Sequence, residues 1–200
     1  AADKTLHLVY YAACDLAVSQ NQKSDYSAFV IAGMDERSRM HIVHVIRERL
    51  DSMQIVDTMI ALHKIYKPVL FGIEKGVIQK SIGPYLNETM LKRQEFLNLA
   101  LIAATGDKLT RAKSIQARMR AGAVFFDKDN DWYQTLEDEL MRFPRDRHDD
   151  QVDAIAYLGL MLDKMWDAPT VPEEEEEEYR LMIRHNELIE QSGRSPITGY

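Results

Sequence analysis

The chain has 200 residues, 46% of them hydrophobic and 28% charged, which suits one globular domain with a sizeable core and leaves room for an appendage. No apolar run reaches the ~18 residues that span a membrane, and the single cysteine, Cys14, excludes an internal disulfide and a multi-cysteine zinc site. The net charge of −7 is concentrated at one end: residues 166–200 hold nine acids against three bases, so the body is nearly neutral and a nucleic-acid partner is not excluded.

Leu6 to Ala13 is apolar, aromatic and β-branched, and predicts a strand buried on both faces that gives way to Asp15. Asn21 to Asp25 predicts a polar turn. Ser27 to Ala32 predicts a second strand, Gly33-Met34-Asp35-Glu36 a hairpin turn, and the alternating Arg39 to Arg47 a third strand nearer an edge. The period then lengthens: Leu50, Met53, Val56, Met59, Ile60 and His63 describe an amphipathic helix that Pro68 ends. Val69 to Ile73 predicts a short central strand, with Glu74 directly after it. Gly76 to about Arg93 reads as helix, broken or kinked at Gly83-Pro84. Phe96 to Ala103 predicts another strand, Lys108 to Arg120 a basic and partly helical segment, and Trp132 to Phe143 a helix ended by Pro144. Ala123 to Phe126 is too short to assign. A last helix runs to about Trp166, and after Pro169 and Pro172 come six consecutive glutamates, Glu173 to Glu178, which repel one another. A meander followed by alternating α and β predicts an α/β fold with a mixed five-stranded sheet flanked by helices.

The chemistry is carried by acids at the ends of apolar stretches. Asp15 and Glu74 each follow a strand, and the last helix opens with His148-Asp149-Asp150-Gln151-Val152-Asp153. If the two strands are neighbours, their carboxylates meet at one edge of the sheet, and the cluster supplies a third side. At ~4 Å and an effective dielectric near 20, each like-charged pair costs about 4 kcal/mol, so an ionised cluster calls for cations. Oxygen-only ligands favour Mg²⁺ or Mn²⁺, and two such ions suit hydrolysis of a phosphodiester. Each acid also has a plainer reading. Asp15 could end a strand, Glu74 could face solvent, and Asp149 or Asp150 could be a helix N-cap worth ~1 kcal/mol. Capping leaves His148 and Asp153 unexplained. On an ideal helix Asp149 borders the apolar stripe, Asp153 lies further round and Asp150 furthest, which leaves open which of them holds metal.

Taken together, Cys14-Asp15-Leu16-Ala17, Gly72-Ile73-Glu74, the basic stretch leading to Gly122-Ala123-Val124-Phe125, and Phe143-Pro144 followed by His148-Asp149-Asp150-Gln151-Val152-Asp153-Ala154 resemble the nuclease domain of the large terminase subunit of tailed bacteriophages. The resemblance spans residues 5 to about 165, and its last motif is the most specific. It implies a fold similar to ribonuclease H and the RuvC resolvases for residues 1–167, with an acidic tail at 168–200. It implies endonucleolytic cleavage of double-stranded DNA with two ions, Mg²⁺ or Mn²⁺. Its acids fall on Asp15, Glu74, Asp149 and Asp150, with Asp15, Glu74 and Asp150 the catalytic set. It implies as partners a packaging ATPase domain of the same polypeptide, a portal protein and a small terminase subunit, all in the host cytoplasm. There is no GxxxxGK[ST] motif and no initial Met, so the chain reads as the nuclease half of a longer one. Lys108, Arg111, Lys113, Arg118 and Arg120 suit DNA phosphates or a solvated helix face; Lys23 and His148 are further candidates, and His148 equally suits a place beside a cap. The tail reads as a portal-docking element or an electrostatic gate over the DNA groove. Competing readings are a junction-resolvase-like or transposase-like nuclease of the same fold, and a non-catalytic docking module.

Overall fold

Period-two alternation along the strands decides the architecture. The structure is a computed structural model that describes residues 7–17, 26–103, 106–145 and 149–166, with side chains left out at 79, 80 and 166. Among them are six strands in one sheet: β1 (Val9–Asp15), β2 (Ser27–Met34), β3 (Met40–Glu48), β4 (Phe71–Glu74), β5 (Leu99–Ile102) and β6 (Val124–Phe126), in the order β5-β4-β1-β2-β3-β6. β1, β2 and β3 form the antiparallel meander, while β4, β5 and β6 join in parallel. Side chains of odd and even number in β1 point to opposite faces. Ala12 and Cys14 pack with Phe29, Ile31, α1 (Ser52–Tyr66) and α3 (Gly83–Arg93). Ala13 packs on the other face with Ala28, Val30, α4 (Lys108–Arg120), α5 (Tyr133–Arg142) and α6 (Asp150–Trp166). The result is helix, sheet, helix in three layers, with a core on each face of the sheet.

The mixed α/β sheet matches the expectation, with one strand more than the five expected. The sixth is β6, whose pairing to β3 (Met40 with Val124, Ile42 with Phe126) is non-local and leaves no periodic signal in three residues. β1 lies further along than expected, so that Asp15 is its last residue. The Gly76–Arg93 helix is three segments: a short α2 (Lys75–Val77), a π-helical turn (Ile78–Ile82) and α3. Pro84 stands in the first turn of α3, where its missing N–H leaves nothing unsatisfied, so it starts a helix instead of breaking one. Asp51 and Gln54 cap α1 reciprocally. The chain divides into two units, Ala1–Asp163 and Lys164–Tyr200. The expectations for the tail, 168–200, lie outside the described residues.

Gly159 sets the distance between α4 and α6. A Cβ there would lie 3.1 Å from the backbone nitrogen of Ile115 and 3.1 Å from Ser114 Oγ. Valine at 159 therefore adds overpacking of about 1–3 kcal/mol. Gly159→Val should lower the melting temperature by several degrees, since 1 kcal/mol corresponds to about 2–4 °C at this size. Calorimetry showing an unchanged melting temperature would mean α4 can move aside freely.

Candidate active site

Two strand ends begin the site. Cys14 of β1 pairs with Ile73 of β4 in parallel register, so Asp15 and Glu74 leave the sheet side by side. Alternation puts both on the face that carries Ala13 and Gly72, the face covered by α6. Gly72 leaves room for that helix: a Cβ there would lie 3.2 Å from Met161 Sδ.

α6 supplies the third side. Asp149 and Asp153, four residues apart, both face α4, where the Lys108 ammonium pairs with Asp149 Oδ1 and stands 3.7 Å from Asp153 Oδ2. Arg111 Nη2 donates to Asp153 Oδ1 at 3.0 Å. Burial works against the charge on Lys108 and Arg111, but the paired aspartates outweigh it and hold both above their ordinary values. The strand-end acids feel the same helix. The Asp15 carboxyl is pushed up to about 7, first by burial, then by the charges of Asp153, Asp150 and Glu74, with Arg111 acting in the opposite direction. The Tyr157 hydroxyl donates to Glu74 Oε2 at 3.4 Å. Burial and the charges of Asp15 and Glu74 raise that phenol well above its ordinary value. Asp15, Glu74, Asp150 and Asp153 thus form one electrostatic group.

Capping does not account for Asp149. Its carbonyl accepts the Asp153 N–H at 2.9 Å, as an N-cap residue's does. Its side chain does something else: Oδ1 takes Lys108, and Oδ2 is buried with no hydrogen-bond partner among the described residues. A backbone donor at the start of α6 is met instead from α5, where Glu139 Oε2 accepts the Gln151 N–H at 3.0 Å. Arg47, near the end of β3, brings its Nε to 3.0 Å from Glu139 Oε1 and 3.6 Å from Asp150 Oδ2. Its guanidinium stacks 3.8 Å from the Tyr26 ring centroid.

The basic residues of α4 separate into groups. Lys108 and Arg111 serve the aspartates, Arg118 Nη2 donates to Asp163 Oδ1 at 3.4 Å, and Lys113 and Arg120 are both exposed on the outer side of the helix. Lys23 and His148 lie outside the described residues. Glu139, Arg47 and Tyr157 are additions that the sequence reading did not single out. Tyr157 follows Asp153 by four residues on one helix face, a signal that was present; Glu139 and Arg47 meet α6 only through tertiary packing.

The donor set suits a hard divalent cation: it consists of carboxylate oxygens, one acid is pushed up to about 7 by burial and by its neighbours' charges, and one buried oxygen lacks a partner among the described residues. As placed, no three of the described acids, histidines or cysteines lie close enough together to surround one ion. The site is therefore open, with Lys108, Arg111 and Arg47 standing against its aspartates in the role of counter-ions.

No curated protein sequence matches the chain. Among solved structures it is similar to the large terminase nuclease of thermophilic phage G20c with bound magnesium, at 19% identity and a TM-score of 0.54 over 75% of this chain and 79% of that one. It is similar to the human cytomegalovirus terminase nuclease domain, at 12% identity and a TM-score of 0.56 over 78% and 82%. It is also similar to the large terminase of a second thermophilic bacteriophage in complex with ATP-γ-S, at 12% identity and a TM-score of 0.53, over 76% of this chain but 39% of that one. These likenesses establish the ribonuclease H-like terminase nuclease fold. The sequence model of the terminase RNaseH-like domain matches residues 12–162, from β1 through most of α6, and the chain belongs to that family.

Proposed function

We propose that the chain is a metal-dependent endonuclease that cleaves double-stranded DNA during viral genome packaging. The observation that carries this is the convergence of Asp15, Glu74 and Asp150 on one sheet edge, where burial and the neighbouring charges hold Asp15 up to about 7. Family membership supports a nuclease of genome packaging, and the G20c nuclease, with bound magnesium, supports a divalent ion. Asp15, Glu74 and Asp150 hold the ions, Mg²⁺ or Mn²⁺, and Asp149 offers a further oxygen once Lys108 leaves it. Bound there, two ions would polarise the scissile phosphodiester and activate water. The chain's own residues do the rest. The carboxylates fix the ions at the strand ends, and Tyr157 steadies Glu74. Lys108 and Arg111, released from their aspartates, and the outward Lys113 and Arg120 meet phosphates. The large terminase seen with ATP-γ-S supports a packaging ATPase domain in the same polypeptide. The portal protein and the small terminase subunit are the assembly partners, with the host cytoplasm as the setting.

Plasmid cleavage in Mn²⁺ or Mg²⁺ tests the reading. Asp15→Asn, Glu74→Gln and Asp150→Asn should each lower kcat about a hundredfold or more, since each removes several kcal/mol of charge stabilisation. Variants that cut as fast as the parent would place the chemistry elsewhere.

The raised carboxyl of Asp15 gives a pH dependence of defined sign. Its folded value, about 7, lies above its ordinary 3.8, so the folded state holds the proton more tightly than the unfolded state. The resulting stabilisation is full below about pH 4 and is lost as pH rises toward 7. The metal-free melting temperature should fall between pH 5 and 7.5, and Asp15→Asn should flatten that fall. Mn²⁺ must displace the proton, so it should raise the melting temperature more at pH 7.5 than at pH 5.5. Scanning fluorimetry with an equal Mn²⁺ shift at both pH values would remove Asp15 from the ligand set.

DNA contact by the outer surface of α4 shows in salt dependence. Replacing Lys113 or Arg120 with Ala should weaken binding of any duplex and reduce the slope of log affinity against log salt by about 1 per lost contact. An unchanged slope would take that surface out of the interface.

A further inference from the structure

A backbone donor at the start of α6 is met from another helix. A helix start leaves four N–H groups without intrahelical partners. Asp149 commits its carboxylate to Lys108, and the Gln151 N–H, directly after Asp150, donates to Glu139 Oε2 at 3.0 Å. The Gln151 side-chain amide donates to Glu139 Oε1 at 2.8 Å. Both residues are buried, Glu139 at 6% exposure and Gln151 at 1%. A carboxylate so deeply placed is costly unless paired and hydrogen-bonded. Its cation is Arg47, which faces Asp150 with the same Nε and is braced by the Tyr26 ring. Glu139 therefore touches the residue next to Asp150 at two points and shares a cation with Asp150 itself. It comes from a different helix, α5, and is not among the charges that act most strongly on Asp15.

We infer that Glu139 is a positioning residue for the carboxylate site: it caps α6 from α5 and, together with Arg47, fixes where the Asp150 carboxylate stands. This rests on the reading of Asp150 as a metal ligand. Glu139 meets the Gln151 N–H, so that this donor makes no call on the Asp149 or Asp150 carboxylate. Arg47 draws Asp150 toward β3 until a stronger cation arrives. Groups that orient a ligand in this way change metal affinity or activity about 10–100-fold when removed.

The test compares the parent chain with Glu139→Ala, Glu139→Gln and Asp150→Asn, each well below its melting temperature. Mn²⁺ affinity is read from the free-ion signal in electron paramagnetic resonance, and kcat and KM from duplex cleavage. Glu139→Ala should weaken Mn²⁺ binding about 10–100-fold and lower kcat by a similar factor, with KM for DNA within about twofold of the parent. Glu139→Gln keeps an acceptor for the Gln151 N–H but not the charge facing Arg47, and should fall between parent and alanine variant. A Glu139→Ala protein that melts earlier yet binds Mn²⁺ and turns over within about twofold of the parent would reduce Glu139 to a structural cap and overturn the inference. If the alanine variant does not fold, Glu139→Gln decides: a loss of Mn²⁺ affinity of about threefold or more supports positioning, and parent-like values overturn it. Asp150→Asn separates the two readings. If it binds Mn²⁺ like the parent, the ligand reading fails and this one with it; if it is defective while Glu139 variants are not, only the positioning role fails.

Discussion

Repulsion among carboxylates at one edge of the sheet is the constraint on which the rest of the structure turns. Asp15, Glu74, Asp150 and Asp153 sit close enough that the other three, added to burial, push Asp15 up to about 7. At ~4 Å and an effective dielectric near 20, each like-charged pair would cost about 4 kcal/mol, a large fraction of what keeps a domain folded. The fold answers with cations placed on either side. Lys108 and Arg111 stand against the aspartates from α4, and Arg47 stands against Asp150 from β3. α4 can lie that close because Gly159 carries no side chain and because Ala112 and Ile115 bury themselves against α6.

This arrangement explains how a site rich in acid can fold before any ion arrives. The counter-ions hold the aspartates apart, so that no three acids close around one point among the described residues. A divalent ion held by Asp15, Glu74 and Asp150 would draw Asp150 from the Arg47 guanidinium, and would recruit Asp149 or Asp153 only by displacing Lys108 or Arg111. DNA phosphates offer those same cations an alternative partner. On the proposed reading, substrate and metal therefore act in the same direction, each weakening the contacts that oppose the other.

Much of this was legible in the sequence, and the limits have physical causes. Asp15 and Glu74 stood out because each is an acid that follows an unbroken apolar run. The meander and the later parallel strands followed from the change of period near Leu50. The last helix was legible from its apolar stripe. β6 was not, because three residues carry no period and its strand character comes from pairing with Met40 to Ile42. Glu139 was hidden for a similar reason: in sequence it is one acid among several on α5, and only packing turns it onto Gln151. The basic stretch was seen as a unit, yet Lys108 and Arg111 turn inward to aspartates while Lys113 and Arg120 turn out.

Helix phase explains why Asp149, just before α6, and Asp150 and Asp153 within it differ. At about 100° per residue, and taking Asp149 as the origin, Asp153 lies about 40° round, Tyr157 about 80° and Asp150 about 100°. Asp149 therefore faces α4, where Lys108 holds it. Asp153 stands between the two directions, which is why it is paired with Arg111 and is also the charge that acts most strongly on Asp15. Tyr157 and Asp150 face the strand ends, and Tyr157 accordingly reaches Glu74. Exposure increases along the same arc, from 5% for the Asp149 side chain to 8% for Asp153 and 19% for Asp150. An ion arriving at the strand ends would thus meet Asp150 first. Asp153 would come to it only by giving up Arg111, and Asp149 only by giving up Lys108. On the proposed reading, the order in which the aspartates would be recruited follows from the phase of one helix and from the two cations opposite it.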